Sequence, residues 1–475
     1  MSKYEISIGL EIHAELNTES KIFCSCKNSF GGDPNQRCCP VCMGLPGTLP
    51  TLNRLVAEHA IKVGRMMGCQ TEPVVRMARK NYCYPDLPKG YQISQYSHPL
   101  CYDGNVFFFS NGEKIHIRIN RIHIEEDAGK LQHEGEGETL VDLNRCGVPL
   151  IEIVTEPDLH SAQEAYDFLE TVRLMLLYAG VSDCKMQEGS IRCDVNVSVR
   201  PLGEEQLGPR CEMKNVNTFS GAKRAIEYEA ARQIQLLESG GKVISETRRW
   251  DDATGISSLL RSKEEAEDYR FFSEPDVMEV ALELPVVDVD DTELPQEKLQ
   301  RYVEELGLSY ADAMNLVRYP ERAKYFEDCV ELNRRYAKDI AAWILGEVLH
   351  CLNKEKRDFT DLNVEPGRLV RLIGMIEDET VSVSAAKKVF SLMMDQASDP
   401  CDIASQRGLL QNSNETELRN VVSTVLEQHK DLAEEFKNGK TNVFGFMVGK
   451  CMALTGGKGN PRMINDILLG MLKNN

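Results

Sequence analysis

The sequence is 475 residues long and carries 55 Lys and Arg against 74 Asp and Glu, a formal net charge of −19. That length supports roughly three domains with their own cores, and that charge excludes a protein that coats nucleic acid through a uniformly basic surface. No apolar run approaches the ~20 residues of a membrane span and none with a basic flank opens the chain, so neither a signal peptide nor an anchor is expected and the chain reads as cytosolic.

The first predicted element is a strand over residues 5–16, where the even positions are almost all aliphatic and the odd positions include Glu11 and His13. A period of two puts Glu11 and His13 on one face. After it comes Cys24-x-Cys26, then Cys39-x-x-Cys42 with Cys38 adjacent and glycines and prolines between. Four thiolates in two short knuckles match a tetrahedral structural zinc site, although the first pair has one intervening residue rather than two. Free thiols are the alternative, and the remaining cysteines among the 16 read as reduced core residues.

A helix is expected from Thr51 to a stop at Gly68. Between Ile61 and Gln95 lie Lys62, Arg65, Arg76, Arg79, Lys80 and Lys89, interleaved with Tyr82, Tyr84 and Tyr91. This is either a solvated basic face or a contact surface for an anionic partner.

A second strand spans 115–126 with an interruption: Ile115, Ile117 and Ile119 share one phase, Ile122 and Ile124 the other. A bulge near Asn120 and Arg121 explains the slip and brings His123, Glu125 and Glu126 toward the same cradle. In the third strand, 150–154, Glu152 sits in an apolar run where an ionised carboxylate needs a cation, an arginine or several donors. The fourth, 191–200, puts Arg192, Asp194, Asn196 and Ser198 on its polar side. Helices are expected from a capping box at Ser161 and Glu164 to Gly180, and from Ala222 to Gly240-Gly241.

Pro285 and Pro295 bracket an acidic segment, Asp288–Asp291, that reads as a linker. Beyond it, 306–352 and 368–394 are amphipathic helices with Gly346 and Gly374 as packing or bend points, 396–414 is polar, and further helices close the chain. The tail from Lys437 onward carries Lys437, Lys440, Lys450, Lys458, Arg462 and Lys473 against Asp466 alone.

No phosphate-binding glycine loop of the required spacing and no nucleophile elbow is present, so the available chemistry is metal-assisted, with Mg²⁺ on hard oxygen ligands and lysines beside phosphate. The alternatives are a nucleic-acid-binding scaffold and a metal-dependent hydrolase acting alone.

The runs Gly9–Leu16, Ala78–Gln95, His123–Lys130, Val141–Arg145 with Pro149–Val154, Glu212–Asn217, and Asn438–Lys440 with Gly445–Gly449 closely resemble the B subunit of the tRNA-dependent Asp/Glu amidotransferase. The resemblance covers essentially the whole chain. It implies an α+β fold: an N-terminal antiparallel-sheet cradle related to glutamine synthetase at 1–292, with the zinc knuckle at 24–42, an all-α helical domain at 293–405 and a tRNA-binding α-helical tail at 406–475. It implies a heterotrimer with an amidase A subunit and a small C subunit, acting on tRNA(Gln) or tRNA(Asn) charged with glutamate or aspartate, with ATP and Mg²⁺. Glu11, His13, Glu125, Glu126 and Glu152 match the family's metal cluster. Lys80 and Lys89 match its ammonia path, where buried salt bridges are the alternative. Tyr82, Asp194, Glu212 and Lys214 are cofactor-binding candidates. Cys24, Cys26, Cys39 and Cys42 correspond to a zinc knuckle carried by some members.

Overall fold

Alternating residues can bury one strand face only if a second layer covers it, and the first half of the chain supplies that layer with three helices. The computed structural model describes residues 3–134, 137–262, 269–282, 293–437 and 439–474. The acidic 288–291 segment expected as a linker lies outside them. Two compact units result, Met1–Lys298 and Leu299–Asn475.

In the first unit a nine-stranded sheet runs in the order Ile256–Ser262, Glu246–Asp251, Cys211–Val216, Ile191–Pro201, Tyr4–Glu15, Pro149–Thr155, Glu113–Glu126, Cys101–Ser110 and Gln70–Thr71. All four predicted strands are present and lie side by side at its centre. The sheet is not purely antiparallel as expected: Cys211–Val216 and Glu246–Asp251 pair in parallel, because the helix Phe219–Glu238 returns the chain to the same end. The predicted slip is real, since Val154 pairs with Arg121 while Thr155 pairs with Ile119, leaving Asn120 as the extra residue.

Ile8, Leu10 and Ile12 join Ile122, Ile124, Ile151 and Ile153 in a core closed by Phe168, Val172 and Ile226. The covering helices are Arg54–Met66, Ala162–Ala179 and Phe219–Glu238. The first starts later than Thr51, because Asn53 caps it by accepting from Leu55 N. Ser161 caps the second, but Glu164 accepts from His160 N rather than completing a box with Ser161.

Beneath the sheet edge, Glu229 is fully buried. Its carboxylate accepts from Arg232 at 2.7 and 2.9 Å and from Gln233 at 2.8 Å, and Arg232 and Arg248 also bind Glu246. Removing one member of a buried charged set strands the others, so Glu229→Ala is expected to lower unfolding free energy by about 3–5 kcal/mol. Chemical denaturation would measure it, and a loss under ~1 kcal/mol would contradict the arrangement.

The second unit is helical. Gly346 sits in a π-helical turn, Ile344–Val348, that interrupts an α-helix, and a side chain there would meet nothing within 4 Å among the described residues, so it is not a packing point. Gly374, by contrast, packs beside the Tyr336 ring. The polar 396–414 stretch contains a short helix, Pro400–Gln406, because Asp399 caps it and Pro400 occupies the first turn. Leu418, Val422, Met447, Ile464 and Leu468 form a cluster among the last helices.

Candidate active site

Register assembles the site. His13 faces Arg192 on one side and Glu152 on the other, and Glu152 in turn faces His123, so four adjacent strands contribute one transverse row. One pair further along, Glu11 faces Asp194. Glu125 enters from two residues beyond His123, on the same face.

Two groups of convergent ligands result. His13, Glu125 and Glu152 each offer an atom within 4.8 Å of the others, as do Glu11, Asp194 and Glu212. In the first, His13 Nε2 is 3.4 Å from Glu152 Oε2 and 3.7 Å from Glu125 Oε1, while His123 Nε2 is 3.1 Å from Glu152 and 3.5 Å from Glu125. Burial opposes charge on His13, but bonding to Glu152 and attraction from Glu125 outweigh it and raise its pKa. The same balance lifts His123 to about 9. Burial also opposes charge on Glu152, yet the two imidazoles hold it well below the usual carboxylate range. Both imidazoles are thus drawn toward positive charge beside the carboxylates, a role a divalent cation would take over.

The second group suits a hard cation better, because its donors are all oxygen. Asn196 Nδ2 donates to Glu11 Oε1 at 3.0 Å, and its own Oδ1 is buried without a partner among the described residues, one more oxygen beside the group. Burial and the nearby Glu152 raise the Glu11 pKa, which is what crowding acids without a cation does. Lys214 sits at 2.8 Å from both Asp194 and Glu212, so its ammonium supplies positive charge there. Thr247 Oγ1 holds the other Glu212 oxygen at 2.9 Å.

Glu11, Asp194 and Glu212 of the second group and His13 and Glu152 of the first line one open cavity of about 410 Å³, within the range of small-molecule sites, with Glu125 buried behind them. Its wall also includes Lys80, Tyr96, Arg121, Arg210, Tyr269 and Phe271. Lys80 lies 4.9 Å from the Tyr269 ring centre and 5.8 Å from that of Tyr82. Tyr82 backs this wall, with its hydroxyl donating to Gln92 Oε1 at 3.3 Å. Of the basic region around it, Lys62 donates to Ala179 O, Arg76 pairs with Glu279 and Arg79 with Glu274, so most of its charge is spent inside the unit.

Glu126 departs from the expected shared cradle. Successive strand residues face opposite sides, so while Glu125 accepts from Ser94 Oγ at 3.1 Å, Glu126 turns away and accepts from Lys89 Nζ at 2.5 and 2.6 Å and from Ile93 N at 2.9 Å. Lys89 is therefore in a buried salt bridge. Burial opposes its charge but Glu126 prevails and raises its pKa, so Lys89 is an ammonium at neutral pH and not a proton acceptor. The pair lines a second cavity of about 120 Å³ together with Cys24 and Cys42.

That cavity abuts the cysteine loop. Cys42 Sγ lies 3.4 Å from Cys24 Sγ and 3.8 Å from those of Cys39 and Cys26. A tetrahedral zinc with Zn–S of about 2.3 Å requires sulfurs about 3.8 Å apart, so the four fit. Cys38 turns out and donates to Asn35 O. Lys21, fully buried, reaches Arg37 O at 2.7 Å and Cys42 Sγ at 3.6 Å, and an ammonium in such a place needs anionic sulfur beside it. Hydrogen bonding from Cys24 brings the Cys42 thiol down to about 4. Gly44 has φ +64° and a side chain there would strike Lys89 Cα at 3.0 Å, so glycine lets the knuckle close onto the Lys89 segment.

Sequence reasoning missed the far wall of the main cavity, Arg210, Glu246, Arg261, Tyr269 and Phe271. The run Tyr269-Arg270-Phe271-Phe272, rich in aromatics, was the signal available.

A sheet whose central strands carry convergent acids and imidazoles over an open polar cavity, followed by a helical unit, defines an α+β protein of the cradle class, with side chains that could hold a metal. The GatB/GatE catalytic domain model matches residues 6–288, and a GatB domain matches 324–472. The chain is 49% identical to the B subunit of the aspartyl/glutamyl-tRNA(Asn/Gln) amidotransferase of Caldicellulosiruptor saccharolyticus, over 98% of each chain. It is 47% identical to that of Thermoanaerobacter pseudethanolicus, again over 98% of each, and 45% identical to that of Thermodesulfovibrio yellowstonii, over 99% of this chain and all of the relative. The chain belongs to the GatB/GatE family of amidotransferase B subunits. Among the described residues no helix is long and apolar enough to cross a membrane.

Proposed function

We propose that this chain is the ATP-dependent subunit that activates the side-chain carboxylate of glutamate on tRNA(Gln), or aspartate on tRNA(Asn), for amidation. The observation that carries the reading is the pair of ligand groups that meet at a single cavity, five of their six residues lining it, in a chain whose relatives are named for that amidation. A carboxylate is a poor electrophile for ammonia. Attack of one of its oxygens on the γ-phosphorus of ATP, with ADP leaving, makes an acyl phosphate; ammonia then attacks the carbonyl carbon and phosphate departs.

His13, Glu125 and Glu152, and Glu11, Asp194 and Glu212, are the residues that would hold Mg²⁺, which supplies charge neutralisation on the transferring phosphoryl group. Lys80, facing the cavity, and Lys214, bridging Asp194 and Glu212, add fixed positive charge there. Tyr82 acts by holding Lys80 in position. Lys89 and Glu126 belong to the path by which ammonia arrives, where their salt bridge gives the wall fixed polar groups. An amidase A subunit supplies that ammonia and a small C subunit completes the trimer, in the cytoplasm. Structural Zn²⁺ occupies Cys24, Cys26, Cys39 and Cys42.

The chain's third division, 406–475, is the tRNA-binding tail, a reading supported by the basic excess from Lys437 onward and by its own apolar cluster. Lys440 and Lys450 are exposed. Replacing both by alanine is expected to weaken tRNA binding and to reduce the slope of log affinity against log salt by about one for each phosphate no longer neutralised. Filter binding at several salt concentrations measures it, and an unchanged slope would reject a phosphate-binding role for these two lysines. The reading as a whole is tested by reconstituting the trimer with both charged tRNAs. ATP-dependent amidation of at least one is expected, and amidation without ATP would reject it.

A further inference from the structure

The mouth of the main cavity holds a feature that the carboxylates do not require. Tyr96 and Phe271 lie ring on ring, with centroids 4.2 Å apart and planes 9° from parallel. Tyr269 braces Phe271 edge-on at 6.1 Å and is itself braced by Tyr82 at 5.8 Å. Although locked in this way, Tyr96 keeps 63% of its surface exposed. A large ring fixed on one face and open on the other has already lost its rotamer freedom, so a second flat ring can stack on it at little further entropic cost.

Position narrows the occupant. Tyr96 follows Ser94 by two residues, at most roughly 7 Å of chain, and the Ser94 hydroxyl donates to Glu125 Oε2. Lys80 and Arg121 line the same cavity, and Lys80 stands over the Tyr269 ring that braces the stack. The fitting ligand therefore joins a π-faced ring to an anionic chain that runs inward toward cationic side chains and the ligand groups. A nucleotide has that form, and every base offers a π-face for such stacking.

We propose that the outer face of Tyr96, backed by Phe271, is the stacking platform for an adenine ring. The proposal rests on the phosphoryl-transfer reading of the cavity. Adenine reaches such a site from two sources: ATP, and the 3′-terminal adenosine of the charged tRNA, whose aminoacyl group must enter the same cavity.

Tyr96→Ala and Tyr96→Phe in the intact complex test it. Loss of one base–aromatic stack raises the relevant constant on the order of tenfold to a hundredfold, with kcat little changed, whereas Tyr96→Phe keeps the ring and stays within about twofold. Weaker equilibrium binding of ADP by Tyr96→Ala in the absence of tRNA supports the platform with ATP as the source. A raised KM for the charged tRNA with ADP affinity intact supports it with the tRNA terminus as the source. Inorganic triphosphate, which has no base, should inhibit parent and Tyr96→Ala alike. The platform is overturned if an active Tyr96→Ala complex keeps both constants within twofold, if Tyr96→Phe loses as much as Tyr96→Ala, or if triphosphate inhibition weakens equally. Failure of the parent complex to consume ATP on charged tRNA would instead overturn the phosphoryl-transfer reading, and this proposal with it.

Discussion

Glu152→Gln in the assembled complex is expected to reduce ATP-dependent amidation by at least roughly a thousandfold, about 4 kcal/mol of transition-state stabilisation. Glu152 is buried, lies in register between His13 and His123, and offers the oxygen both imidazoles approach. Glutamine keeps the shape and removes the charge, so the sheet should persist while the ligand group loses its central anion. Steady-state rates with charged tRNA measure the loss. The partner's glutaminase activity should survive, which separates lost chemistry from lost assembly, and full amidation by the variant would reject the role given to Glu152. Glu11→Gln should behave alike through the second group.

The second large effect is expected at the cysteine loop. Cys42 lies within 3.8 Å of all three other sulfurs, so Cys42→Ala removes the shared vertex of the site. Residues 16–53 form no long helix or strand, and between Cys24 and Cys42 the ties to the rest of the unit include side-chain bonds such as Asn35 Nδ2 to Val141 O and Asn144 Nδ2 to Asp33 O, with the backbone bond Ile22 N to Gly147 O just before them. With so little regular structure, metal binding and local folding are one event. Cys42→Ala, or removal of metal by a chelator, is expected to abolish one equivalent of bound zinc and to lower the melting temperature on the order of 10 °C. Metal analysis and calorimetry would measure both. A chain purified without zinc that melts unchanged would show these cysteines to be ordinary thiols.

The centre of the sheet was legible because a period of two is unambiguous when one face is aliphatic, as in Ile8, Leu10 and Ile12. Even the bulge at Asn120 could be read, since isoleucines changed phase around it. The bulge that re-aims this strand does not bring both adjacent acids into the cradle: neighbours in a strand face opposite ways, so Glu125 and Glu126 part. The short strand Gln70–Thr71 and the Pro400–Gln406 helix are held by edges and caps and have too few residues to show a period. What could not be read was the far wall of the cavity. Arg210, Glu246 and Phe271 come together with Glu11 only through sheet order and register, which no local pattern encodes.

The most direct test of the account follows an oxygen atom. If the cavity activates a carboxylate by phosphorylation, one carboxylate oxygen leaves with the phosphate. Charged tRNA carrying ¹⁸O in the glutamyl or aspartyl side chain, incubated with ATP, ammonia and the assembled complex, should therefore yield one ¹⁸O in each phosphate released, as read by mass spectrometry. Amidated tRNA formed alongside phosphate that carries no ¹⁸O would contradict it.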